Sequence, residues 1–177
     1  MKMIKKVISL YFLAVIIVSS SNAYARQDTR LYFRGINAAR KGNLDFAFVK
    51  FDRLISLFPE SKYSDKALFA VGEYYFLIAD YYDAAQRFTQ FVEKYPESEI
   101  KIFALLYLLE IARRKGNQDE VDRLEREIVT SQQLSLLFRD FKEYTYTSAL
   151  SITYKAVYFI DKVEFYRDDK LFTEVFY

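Results

Sequence analysis

Two carboxylates, Glu73 and Glu110, stand 37 residues apart at equivalent places in a repeating pattern. A pair of carboxylates is one of the few side-chain sets that can divide general acid and general base work between them. Nothing in the sequence completes such a site. The chain of 177 residues contains no Cys and no His. That composition removes Ser-His-Asp triads, Cys-His dyads, thiolate nucleophiles, disulfides and every zinc site needing those ligands. Carboxylate, Lys, Tyr or Ser chemistry is what remains, and no metal motif or neighbouring base accompanies the two glutamates. The expectation is a protein without enzymatic activity, cofactor or metal, whose glutamates serve binding.

The elements that must position these residues are helices. The chain is 52% hydrophobic, with 16 Tyr and 17 Phe, but only four Gly and two Pro. So few turn residues argue against a many-stranded sandwich or barrel. An internal period settles the arrangement. Arg40-Lys41-Gly42-Asn43-Leu44-Asp45 returns as Arg114-Lys115-Gly116-Asn117-Gln118-Asp119, an offset of 74, twice 37. At 37, Gly35 maps to Gly72, Ala47 to Ala84, Phe51 to Phe88, and Phe58-Pro59-Glu60-Ser61 to Tyr95-Pro96-Glu97-Ser98. Every Gly and Pro of the chain falls on this grid.

Each recurring position has a physical reason. Gly35 and Gly72 lie inside the first helix of a pair, where Gly costs about 0.5–1 kcal/mol relative to Ala unless a close crossing requires it. Ala47 and Ala84 are the reciprocal small residues on the second helix, and Phe51 and Phe88 fill the space one turn later. Asn43, Asp80 and Asn117 suit the N-cap of the second helix. Pro59 and Pro96 end it, because the residue before Pro disfavours the helical region. Ser64, and by analogy Ser98, would cap the next first helix. The pattern predicts an all-α fold with helices near 29–41, 44–58, 65–78, 81–95, 99–115 and 118–130. The third pair drifts, with Leu109, Val121 and Gln133 in place of Gly, Ala and Pro, as a terminal capping unit does. The stretch Glu120–Glu127 reads as a solvated helix face laced by i,i+4 pairs.

Leu68, Val71-Gly72, Tyr75, Ala84, Phe88 and Pro96 in this order resemble the tetratricopeptide repeat, and Gly35, Gly42, Ala47, Phe51 and Pro59 match it in the first pair. The stretch from Phe58 to Ser98 is similar to the repeats of BamD-type outer-membrane assembly lipoproteins and of YbgF/CpoB-type periplasmic proteins of the Tol-Pal system. The chain lacks the lipidated Cys of the former and the coiled coil that precedes the repeats in the latter. The resemblance covers roughly residues 30–128 and implies a protein-binding array of the bacterial envelope. In such an array the first helices line a concave face. Their exposed positions would be Tyr32, Ile36, Arg40, Phe69, Glu73, Phe76, Leu106, Glu110 and Arg113, a mixture suited to a peptide or an extended protein segment.

The two ends of the chain leave the grid. Met1–Lys6 is basic, Val7–Val18 is an apolar run interrupted only by Ser9, and Ser19–Ala25 is small and polar, ending Ala23-Tyr24-Ala25. That order is a secretory signal with cleavage after Ala25. An uncleaved inner-membrane anchor is the alternative, although a spanning helix needs about 20 apolar residues. With Lys2, Lys5 and Lys6 removed, the 26 basic residues fall to 23 against 24 acidic ones, a net charge of −1. So neutral a chain lacks the field that nucleic-acid binding requires.

At the other end, residues 131–177 read as a cap and tail. Gln132–Tyr144 is expected to be a further helix, with Leu134, Leu137, Phe138 and Phe141 on one face. Beyond Thr145 two readings compete. One is a last helix near 148–166 followed by an irregular tail. The other is a hairpin of Lys162–Tyr166 and Leu171–Tyr177 turning at Arg167–Lys170. Strand propensity favours the hairpin, but an isolated hairpin is marginal, so the helix is the expectation. The domains are then 1–25 signal, 26–130 repeats and 131–177 cap. The functional expectation is a non-catalytic periplasmic scaffold or adaptor whose partner is an envelope protein, with membrane contact only indirect. The alternative is an inner-membrane-tethered accessory subunit.

Overall fold

The computed structural model describes residues 27–138, 143–159 and 161–176. The signal segment 1–25 and its cleavage residues Ala23 and Ala25 lie outside the described residues. Helix α1 spans 27–40. It is followed by α2 (Leu44–Leu57), α3 (Ser64–Leu77), α4 (Tyr81–Lys94), α5 (Lys101–Lys115) and α6 (Gln118–Phe138). The helices form three antiparallel pairs stacked side by side, within two residues of the boundaries the 37-residue grid predicts except at the end of α6.

The turn inside each pair is the same structure three times. The N–H of Gly42, Ala79 and Gly116 donates to the carbonyl three residues back, at 2.8, 3.1 and 3.1 Å. The N–H of Asn43, Asp80 and Asn117 reaches the carbonyl five residues back, at 3.0, 2.9 and 3.1 Å. This double bond to the end of the first helix needs a left-handed residue, and φ is +76° at Gly42, +63° at Ala79 and +67° at Gly116. The side chains of Asn43, Asp80 and Asn117 then accept from the N–H groups of Phe46, Asp83 and Glu120, capping the second helix as the sequence predicts.

Gly35 and Gly72 are sites of close approach. A Cβ at Gly72 would lie 2.8–3.0 Å from the Phe88 ring, and one at Gly35 would lie 2.5–3.0 Å from the Phe51 ring. Ala47 and Ala84 are fully buried beside these rings. Ser64, expected as a cap, is instead the first residue of α3 after Tyr63, and no side chain caps that helix. The Ser64 hydroxyl donates to the Phe58 carbonyl at 2.8 Å and ties down the Pro59 loop. Likewise Ile100, not Ser98, occupies the cap of α5.

The all-α expectation fails at the C-terminus. Helix α6 runs through 130 to Phe138 and so takes in the start of the separate helix expected over Gln132–Tyr144, Tyr144 lies in a strand, and residues 139–142, Phe141 among them, lie outside the described residues. The expected helix over 148–166 is absent. In its place stands an antiparallel sheet of β1 (Glu143–Thr147), β2 (Thr153–Tyr158), β3 (Lys162–Arg167) and β4 (Lys170–Phe176), ordered β1-β2-β3-β4. Strands β3 and β4 are the hairpin of the competing reading, closed by Asp168 and Asp169 at φ +47° and +60°. Both central residues of such a two-residue turn must have positive φ to match the twist of the strands. The Asp168 carboxylate accepts from Thr153 N–H at 2.9 Å and fastens the turn to β2.

Candidate functional site

The predicted groove is full. The inner face of the sheet carries Tyr146, Tyr154, Ala156, Val163, Phe165 and Val175, and it lies on α3 and α5. Tyr154 sits 5.0 Å from Phe103 and 5.9 Å from Phe69, centroid to centroid. Tyr144 and Tyr146 stack on Phe103 at 5.9 Å each. At the other edge Phe172 meets Tyr107 at 5.5 Å and Phe76 at 6.3 Å. Aromatic pairs at these spacings contribute about 0.5–1.5 kcal/mol each beyond the area they bury. That packing is what an isolated hairpin lacks, and it accounts for strand winning over helix.

Of the predicted binding residues, Phe69, Glu73, Phe76 and Leu106 are buried, which corrects the expectation that they are exposed. Phe69, Glu73 and Phe76 touch the sheet directly. Tyr32 is also buried, stacked on Tyr63 at 4.3 Å. Burial, with the charge of Asp65 adding to it, pushes its phenol up to about 12. Ile36 is partly buried against the core. Glu110 is paired with Arg114 of its own helix at 2.9 Å, 37 residues from Glu73 and in a different environment. Arg40 is exposed. Arg113 stays at the margin, where it donates to Thr173 at 2.6 Å and pairs with Glu125 at 2.7 Å.

Glu73 is the chemical centre of the interface. It is 0% exposed. The Tyr154 hydroxyl donates to its Oε1 at 2.5 Å. Because that hydrogen is committed, the 2.5 Å bond between the two phenols has Tyr107 as donor. The Arg167 guanidinium lies near Tyr107, and its charge favours the ionised phenol. A chain of donors therefore runs Tyr107, Tyr154, Glu73, across two helices and one strand. The second carboxyl oxygen makes no hydrogen bond of good geometry, but Ser148 lies close enough to favour the ionised form. Ser148 Oγ accepts from Ile152 N–H at 3.3 Å, which leaves its own hydrogen free to turn.

Burial dominates the electrostatics. It pushes the Glu73 carboxyl up to about 8, against the opposing hydrogen bonds of Tyr154 and Ser148 and the charge of Arg167. A carboxyl taken out of water without a direct cationic partner keeps its proton. Burial likewise drives the phenols of Tyr107, Tyr146 and Tyr154 well above their usual range, with the charge of Glu73 reinforcing each. The arrangement can hold a proton and lock two layers together. Its carboxyl and phenols are shut away from solvent, and among the described residues no group of carboxylates is placed to hold a metal ion. Tyr107, Tyr146, Tyr154 and Arg167 are the members that sequence reasoning missed. The available signal was Glu73 itself, where the first repeat has Ile36, and Glu110 at the same position of the third repeat blurred it.

No protein-family model matches the chain, and comparison with curated proteins finds no match either. The repeat therefore rests on the chain's own periodicity and on the three superimposable turns. No helix among the described residues is long and apolar enough to cross a membrane.

Proposed function

We propose that this chain is a non-catalytic scaffold or adaptor of the bacterial cell envelope. In this reading it is a tetratricopeptide-type array, exported through residues 1–25 and released into the periplasm, that binds a protein partner during outer-membrane or Tol-Pal-like assembly. The observation that carries the reading is the seating of the sheet on the array. The face that holds peptides in arrays of this kind already holds protein in extended form, through Phe69, Glu73 and Phe76. A partner then meets the margin of that seat. There β4 is an edge strand, and Leu171 and Phe176 are 56% and 62% exposed. With Arg113 they border an open groove of about 480 Å³. An edge strand beside exposed apolar side chains suits an added strand, with the backbone supplying hydrogen bonds and the groove supplying selectivity.

The test is site-specific photo-crosslinking of the full chain in envelope preparations. A photoreactive residue at Phe176 is expected to capture one envelope protein reproducibly, while the same residue at Phe69 reports only on the chain's own sheet. Capture at neither position, or capture at Phe69 alone, contradicts the reading.

A further inference from the structure

The two ends of the helical array are chemically unlike the junctions inside it, and they are opposite in charge. At the first internal junction α3 buries Ala67 and Val71 against α2 and stacks Tyr74 on Phe48 at 4.4 Å. The Tyr74 hydroxyl donates to Asp45 at 2.7 Å. At the second junction the same positions of α5 are Ala104, Leu108 and Ile111, buried or partly buried. Counted back 37 residues from α3, these positions fall on Arg30, Arg34 and Asn37 of α1, and all three are exposed. Arg34, Asn37 and Lys41 border an open groove of about 510 Å³ closed on one side by Phe46. Among the described residues Arg30, Arg34, Arg40 and Lys41 have no ion-pair partner.

The far end mirrors this. Asp45 and Phe48 of α2, which seat the following helix, correspond two periods on to Asp119 and Asp122 of α6, and both are exposed. Asp122 is engaged only by Gln118 of its own helix, at 2.7 Å. A solenoid needs polar ends to stay soluble, but charges of either sign at either end would serve. The acidic first turns of α6, Asp119 and Asp122 before the exposed Arg126, set against the basic surface of α1, are what solubility alone leaves unexplained.

We propose that the array associates head to tail with a second copy of the chain. The N-terminal turns of α6 of one copy rest on α1 of the next, and Asp119 and Asp122 face Arg34 and Lys41. The junction repeats the seating that the fold makes twice internally, with ion pairs in place of buried aromatics. It is therefore weaker and salt-sensitive. Because the contact joins two different surfaces, each copy leaves one surface free for the next, so copies add into chains or, where the rotation closes, into rings. This inference stands apart from the scaffold reading, since neither Phe176 nor the sheet takes part.

Sedimentation velocity of the chain from residue 26 onward tests it. At about 0.01 M ionic strength, where charges act over about 30 Å, the sedimentation coefficient should rise with protein concentration. At about 1 M, where the range falls to about 3 Å, one species should remain. Arg34→Asp and Asp122→Arg should each abolish the rise while keeping the helical circular dichroism, and a 1:1 mixture of the two should restore it. Asp119→Arg serves as a second variant of the acidic end. A wild-type chain that sediments as one concentration-independent species at low salt overturns the proposal. So does association that survives both single reversals, or a mixture that fails to recover it.

Discussion

The Tyr154 hydroxyl donates to Glu73 Oε1 at 2.5 Å, joining β2 to α3 across 81 residues of sequence. This bond ties one part of the protein's stability to a single proton. The ordinary carboxyl value is 4.5, and in the fold Glu73 is pushed up to about 8 by burial. A group whose folded value is raised contributes stability that is full below its unfolded value and lost as pH rises through the folded one. Between pH 4.5 and 8 the Glu73 contribution should fall by about 1.4 kcal/mol per pH unit. Urea unfolding across that window checks this. Glu73→Gln, which keeps an acceptor and never ionises, should lack this slope and overtake wild type at alkaline pH. An unchanged slope in Glu73→Gln would place the pH dependence elsewhere.

Removing the donor probes the same bond from the other side. Tyr154→Phe leaves Glu73 and Tyr107 each short of a buried partner, a loss of about 1–3 kcal/mol. Tyr166→Phe, whose hydroxyl bonds Glu164 on the outer face, should change stability by no more than a few tenths. Equal effects in the two variants would mean that the buried network contributes no more than a surface pair.

Ala79 holds the left-handed position that Gly42 and Gly116 hold in the other pairs, at φ +63°. An L side chain there costs about 1–2 kcal/mol. Ala79→Gly should therefore raise the urea midpoint by an amount worth about 1 kcal/mol, net of the freedom Gly adds to the unfolded chain. A lowered midpoint would contradict the turn geometry.

Gly72 makes the opposite prediction. A Cβ there meets the Phe88 ring at 2.8–3.0 Å, so Gly72→Ala should destabilise by about 1–3 kcal/mol. Adding Phe88→Leu to Gly72→Ala should recover part of the loss, measured as non-additivity in a double-mutant cycle.

The helical pairs were legible because their punctuation repeats. Gly42 and Gly116, Asn43, Asp80 and Asn117, and Pro59 and Pro96 each mark a backbone geometry that few residues satisfy, and the 37-residue spacing makes them reinforce one another. The sheet was not legible in the same way. Val157, Tyr158 and Phe159 favour strand, yet a two-stranded piece alone is unstable, and nothing local says that Phe69, Phe103 and Tyr107 lie beneath it. The same gap hid the site. Glu73 shares its grid position with Glu110, so its charge alone did not mark it as buried, and its partner Tyr154 lies on a strand outside the grid. The groove positions were placed correctly on the helices. The exposure of Phe69, Glu73 and Phe76 was misjudged because the sheet that covers them belongs to the same chain.

The N-terminus carries its own test. Mass spectrometry of the protein recovered from cells should give a mature chain starting at Arg26. A retained Met1 would favour the membrane-tethered alternative.

The C-terminal sheet sits on α3 and α5 of the array. Nuclear Overhauser effects between the ring protons of Tyr154 and those of Phe103 measure it most directly, because the two centroids lie 5.0 Å apart. Strong cross-peaks are expected at pH 6, with further peaks from Tyr154 to Phe69. A folded array that gives no contact between β2 and α5 would contradict it.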